Sequence, residues 1–164
     1  MSRIVQHIAR LMWPFCLVFG LYVVLHGHLT PGGGFQGGAV MATGAALMLV
    51  SGAWGDAERK KQEHAAHWLE AAGLLGFVGV ALCGAAFGTG FFHNWLANSG
   101  GLFGAAVPPG PNPGDIATAG TLPLMNLAVG VEVLGGISVI LHHLLRALAE
   151  AGAPEPEAEV SDVD

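Results

Sequence analysis

Charge is what this sequence has least of. Only 11% of its 164 residues are Asp, Glu, Lys or Arg, less than half of the roughly 25% usual in soluble domains. Six Lys and Arg in the whole chain exclude a phosphate-tracking surface, and with it nucleic acid as a partner. The two cysteines, Cys16 and Cys83, lie in apolar runs without metal-ligand spacing. That excludes a secreted disulfide scaffold and leaves the redox compartment open. A hydrophobic fraction of 52% with a mean hydropathy of +0.56 excludes a disordered chain. Length allows one domain, and the composition is that of a membrane protein.

The net charge of −6 is mostly a property of one end, because Glu150, Glu155, Glu157, Glu159, Asp162 and Asp164 supply six of the twelve acids. Residues 150–164, with Pro154 and Pro156 and almost no large apolar side chains, are expected to form an acidic, disordered cytoplasmic tail. Residues 1–149 are expected to form the transmembrane domain.

What the chain does have is long uncharged runs. No charged residue occurs from Leu11 to Gly55, and between Lys61 and Arg146 there are only Glu63, Glu70, Asp115 and Glu132. A helix crossing the hydrocarbon core of about 30 Å needs about 20 apolar residues. Four stretches qualify: about Ile4–Leu25, Gln36–Trp54, Leu69–Phe92 and Leu122–Leu145. They are separated by the breaks His26–Gly34, Gly55–His67 and His93–Thr121. The first run is read as a span rather than a signal peptide, because it lacks a clean small-residue cleavage site and comparable runs follow. The expected fold is all-α, an integral membrane protein with four transmembrane helices.

The basic residues orient it. Arg3, Arg10, Arg59, Lys60, Lys61 and Arg146 all fall on one side if four spans are crossed, and the first and third connections contain none. The positive-inside rule makes that side cytoplasmic, with both termini on it. Glycine is frequent, 26 of 164 residues. It recurs at GxxxG spacing as Gly34/Gly38 and Gly84/Gly88, with Gly73, Gly76, Gly79, Gly130, Gly135 and Gly136 adding further smooth surface. Helix association in lipid relies on close backbone contact at small residues. The glycines serve either packing within the chain or contact with other membrane subunits.

The least ordinary segment is Leu25-His-Gly-His-Leu-Thr-Pro-Gly-Gly-Gly-Phe-Gln-Gly-Gly38. Pro31 stops the first helix, and Gly32, Gly33 and Gly34 permit backbone angles closed to other residues. A hairpin is expected here, at a depth where irregular backbone must be satisfied by protein or water. A phosphate loop is excluded, since no Lys-Ser or Lys-Thr follows and no strand precedes. A plain tight turn is the simpler alternative.

His26-Gly-His28, Pro31-Gly-Gly-Gly-Phe35 and Gly37-Gly38 resemble the signature of the MnhB-related membrane subunit of Mrp/Mnh-type multisubunit Na⁺/H⁺ antiporters. The run Gly120-Thr-Leu-Pro-Leu-Met-Asn-Leu-Ala-Val-Gly-Val-Glu-Val133 is similar to the family's C-terminal pattern. The resemblance covers roughly His7 to Leu145 and omits the acidic tail. It implies a non-catalytic transporter subunit among other membrane subunits, handling Na⁺ and H⁺, in a prokaryotic cytoplasmic membrane. Related subunits occur in membrane-bound hydrogenases and similar redox-driven ion pumps, and nothing in the chain separates the two hosts. No cofactor and no metal is expected.

Glu132 is the foremost candidate for chemistry. It lies near the middle of the fourth run, where an acid costs about 2.5–3.5 kcal/mol on insertion scales and marks an ion pathway or a buried partner. No Lys or Arg of this chain is expected at its depth. It must therefore be protonated, meet water, pair with a His, or meet a cation from another subunit. His26 and His28 close the first run beside the glycine hairpin, and imidazoles there can relay protons. Their alternative is interfacial anchoring. The expected ion-pathway residues are thus Glu132, His26 and His28, and the expected structural hairpin is Pro31, Gly32, Gly33, Gly34, Phe35, Gly37 and Gly38. His64, His67, His142 and His143 are read as headgroup-level residues beside Trp68 and Arg146, and Asp115 as a turn-shaping acid. Asn126 is placed off the face of Glu132. A purely structural scaffold without ion contact is the competing reading.

Overall fold

The computed structural model describes residues 2–87, 90–106 and 115–151. Gly88, most of the Pro108–Asp115 segment and residues 152–164 of the expected tail lie outside these. Four helices form, each long and apolar enough to cross a membrane: α1 (Arg3–Leu25), α2 (Gly34–Ser51), α3 (Asp56–Ala86) and α4 (Leu122–Ala151). No strand occurs among the described residues.

Local chemistry sets the helix ends. Ser2 caps α1 by accepting the N–H of Ile4 at 3.3 Å, and Pro14 withholds one ladder hydrogen bond inside it. Gly52 closes α2 in the left-handed conformation (φ 68°), its N–H turned back to the carbonyls of Leu49 and Met48. The Glu58 carboxylate accepts the Gly55 N–H at 3.1 Å and starts α3 with Asp56, both acids suiting the positive end of the helix. Pro123 sits in the first turn of α4, where a missing N–H removes nothing from the ladder.

The third helix differs from its apolar run. It begins at Asp56 and ends at Ala86, so the polar Gly55–His67 stretch is helical rather than a break. The reason is local: residues 56–67 hold no Gly or Pro and start with acids. α4 likewise continues to Ala151, which takes Glu150 into the helix.

The helices stand in the order α1, α2, α4, α3. α2 packs on both α1 and α4, α3 packs along α4, and α1 touches α4 lightly. α2, the shortest and richest in Gly and Ala, is the most buried span. Added Cβ atoms show why small residues are required. One on Gly37 would meet Gly20 O at 2.5 Å, and one on Gly38 would meet Gly130 O at 2.7 Å. Large side chains of α1 and α3 such as Phe15, Val18, Trp68 and Leu75 stay exposed.

One end of the bundle gathers the basic residues. Arg10 donates to Ala53 O at 2.9 Å, Arg59 to Leu49 O at 3.2 Å, and Arg146 to Glu63 at 2.6 Å. The start of α1, the α2–α3 connection and the end of α4 therefore meet there. At the opposite end Asn94 ties the third connection to α4, its Oδ1 accepting the Thr121 N–H (2.8 Å) and hydroxyl (3.1 Å) and its amide donating to Ala119 O.

Candidate functional site

Glu132 lies in the α3–α4 seam. It is half-buried, and it faces Gly73. A Cβ on Gly73 would come within 2.6 Å of Glu132 Cβ and 2.7 Å of Ala128 O. The contact is reciprocated one turn away: a Cβ on Gly135 would lie 2.7 Å from Ala66 O and 2.9 Å from Glu70 Cα. Each helix thus opposes a glycine of its own to a glutamate of the other. Glu70 is half-buried too, and its carboxylate reaches toward Gly136. Neither carboxylate has a hydrogen-bond or ion-pair partner among the described residues, where the Arg146–Glu63 bridge is the one ion pair.

Glu70 is the residue that sequence reasoning set at a boundary. Because α3 starts at Asp56, Glu70 is about 21 Å into a helix of about 46 Å at a rise of about 1.5 Å per residue. The usable signal was the absence of helix breakers between Asp56 and Leu69.

His26 and His28 occupy the α1–α2 connection and differ in their surroundings. His26 caps α1, its Nδ1 3.0 Å from Tyr22 O and its ring stacked on Tyr22 at 4.1 Å between centroids. The ring nitrogens of His28 are both buried with no protein partner. They do not stand with Glu132, which lies further along α4. The residue that joins this connection to α4 is Asn126, whose side chain would meet a Cβ on Gly27 at 2.9 Å and one on Gly33 at 3.7 Å. Its placement off the Glu132 face left this role unseen, since the role depends on the α1–α2 connection folding over α4.

The glycine segment works differently from its expected hairpin. Gly32, Gly33 and Gly34 are absent from the left-handed positions, which among described glycines are Gly52, Gly90, Gly100 and Gly120. Gly33 is extended and caps α2, while Gly34, Phe35, Gly37 and Gly38 already belong to that helix. Pro31 and Phe35 are exposed, and Gly33, Gly34, Gly37 and Gly38 are buried. The glycines are needed for close approach: a Cβ on Gly34 would collide with Asn126 O and lie 2.8 Å from Val129 Cβ.

The remaining histidines divide. His67 and His143 are exposed and meet edge to face at 6.2 Å between ring centroids. His142 differs from them in being buried. It is 7% exposed, its Nδ1 is 2.7 Å from Ser138 O, and its Nε2 is buried without a partner. Asp115 accepts the Ala117 N–H at 2.9 Å, a turn-shaping contact. Among the described residues no group of three His, Cys, Asp or Glu side chains is placed to hold a metal ion.

These features define a helical protein with four membrane-length segments and a glycine-lined seam carrying unpaired acids. Residues 4–139 match the family described as a domain related to the MnhB subunit of Na⁺/H⁺ antiporter, and the chain belongs to that family. It is also similar to an uncharacterized protein of Methanocaldococcus jannaschii, 37% identical over 138 residues that make up 84% of this chain and 50% of that protein. The chain thus spans about half the length of the curated relative it matches.

Proposed function

We propose that this chain is a non-catalytic membrane subunit of a multisubunit Na⁺/proton antiporter in a prokaryotic cytoplasmic membrane, contributing packing surface and part of the ion pathway. Family membership supports the class of complex. The observation that carries the ion-pathway role is Glu132: half-buried, about 15 Å along a membrane-length helix, its backbone and Cβ packed on Gly73, and its carboxylate unpaired among the described residues. An acid so placed marks an ion route or a partner group on another subunit. His28, with both ring nitrogens unpartnered, supplies the outer end of that route, and His26 flanks it. The end that gathers the basic residues faces the cytoplasm by the positive-inside rule.

The test is Glu132→Gln in the assembled complex, read as the Na⁺-driven pH change in inside-out vesicles. Loss of exchange of roughly a hundredfold, with complex yield unchanged, is expected. Unaltered exchange would leave a scaffold without ion contact.

A further inference from the structure

Two cavities flank His142. On the side of the basic end is a vestibule of about 440 Å³ lined by Asp56, Arg59, Lys60, Glu63 and Arg146. On the inner side is a cavity of about 110 Å³ bounded by Trp13, Trp54, Gln62, Leu69 and Ser138. His142 lines both, and it is the buried group between them. The inner cavity exists because α3 packs on α4 and leaves a gap toward α1 and α2.

The hydrogen bond of His142 decides what the ring can do. A carbonyl oxygen only accepts, so Nδ1, 2.7 Å from Ser138 O, carries the proton. In the neutral ring Nε2 is then a free base, buried and unpartnered. That arrangement suits uptake of a proton from vestibule water better than capture of an anion. The charged groups facing it come from α3 and α4, those of the vestibule. α1 and α2 present Trp13, Leu17, Ala45 and Leu49 to the two cavities.

Further inward, Ala66 of the inner cavity is one turn from Glu70 on α3, and Glu70 reaches Gly136 of α4. Along α4, His142 and Gly136 are about 9 Å apart, and His142 and Glu132 about 15 Å, half of a hydrocarbon core of roughly 30 Å. Ser138 lies between them, its hydroxyl donated to Leu134 O and its lone pairs free to accept.

We propose that the α3–α4 seam is the proton entrance on the basic, cytoplasmic side, with His142 as the acceptor and Glu70 as the carboxylate that receives the proton before Glu132. The inference rests on the ion-pathway reading of Glu132 and adds its inner half. Nε2 takes a proton from vestibule water, leaving hydroxide to that side, and becomes imidazolium. The same Nε2 proton leaves through water in the inner cavity to the Glu70 carboxylate, which becomes the neutral acid and restores the neutral ring. Transfer from Glu70 to Glu132 regenerates the first carboxylate. One proton moves and no electron is exchanged.

The experiment uses the assembled complex in inside-out vesicles, whose outer solution reaches the cytoplasmic face. His142→Gln and Glu70→Gln are each expected to lower Na⁺-driven exchange roughly a hundredfold at wild-type complex yield, and millimolar imidazole to restore exchange in His142→Ala. Wild-type exchange in His142→Gln or Glu70→Gln while Glu132→Gln is inactive overturns the entrance and spares the ion-pathway reading. Wild-type exchange in all three overturns both. A readout independent of transport is His142→Cys with Cys16→Ser and Cys83→Ser. A membrane-impermeant thiol reagent added outside is expected to label it, and a cysteine unreactive from that face overturns the entrance.

Discussion

The glycine seam makes a prediction that isolates packing from every other effect of a side chain. Gly73 and Gly79 are both inside α3. A methyl group on Gly73 would run into the backbone N of Glu132, its Cβ at 2.6 Å and Ala128 O at 2.7 Å, whereas one on Gly79 meets nothing within 4 Å. Gly→Ala raises helix propensity by about 1 kcal/mol at either site, so that contribution cancels between the two variants. What is left is the overpacking of the seam. Backbone atoms cannot swing aside as a flexible side chain can, so α3 and α4 must separate by several tenths of an ångström along their contact. Overpacking of this kind costs about 1–3 kcal/mol, or roughly a 5- to 150-fold change in an equilibrium constant. The assay is the free energy of unfolding of the purified chain in mixed micelles, compared between Gly73→Ala and Gly79→Ala. Gly73→Ala is expected to be the less stable by that margin. Equal stability within about 0.5 kcal/mol would refute the packing argument, because the α3–α4 approach would then not be held at glycine distance. The same variant shifts Glu132, so on the proposed ion-pathway reading exchange by the assembled complex carrying it should fall as well.

Other consequences can be checked with the same material. Gly33→Ala should be tolerated, since its Cβ would meet only Gln36 and Asn126 side-chain atoms at 3.4 and 3.7 Å, while Gly34→Ala should lower complex yield because it collides with Asn126 backbone; quantitative immunoblotting of assembled complex distinguishes them. Asn94→Ala removes the acceptor for the Thr121 N–H and hydroxyl and should destabilise by about 1–3 kcal/mol in thermal unfolding, as a buried donor is left unmade. A double-mutant cycle on Glu63 and Arg146 should give a coupling below about 1 kcal/mol, because the Arg146 side chain is 57% exposed. A larger coupling would place this pair inside the hydrocarbon rather than at its surface.

The seam also shows how a chain poor in charge holds two acids half-buried between its helices. Gly73 and Gly135 bring the backbones of α3 and α4 together where Glu132 and Glu70 sit, so each acid leaves its helix beside a smooth patch. Two half-buried acids with no basic partner among the described residues call for something else: water, a proton, or a group from a neighbouring subunit.

What was legible from the residues alone is what depends on neighbours in the chain. Hydropathy over about 20 residues marks a span wherever it folds, so four helices and the common end of Arg3, Arg10, Arg59–Lys61 and Arg146 could be read directly. Glu132 stood out for the same reason, as a lone acid in an apolar run. The order α1, α2, α4, α3, the seam that joins Glu70 to Gly135 and Glu132 to Gly73, and the burial of His142 between two cavities were decided only by tertiary contact. Residues more than fifty positions apart meet there, and no periodicity in one segment encodes which face of another it will touch. The glycines taken as turn-formers show the same division: their number is a local property, but whether they serve a left-handed bend or a helix crossing is set by what lies on the other side.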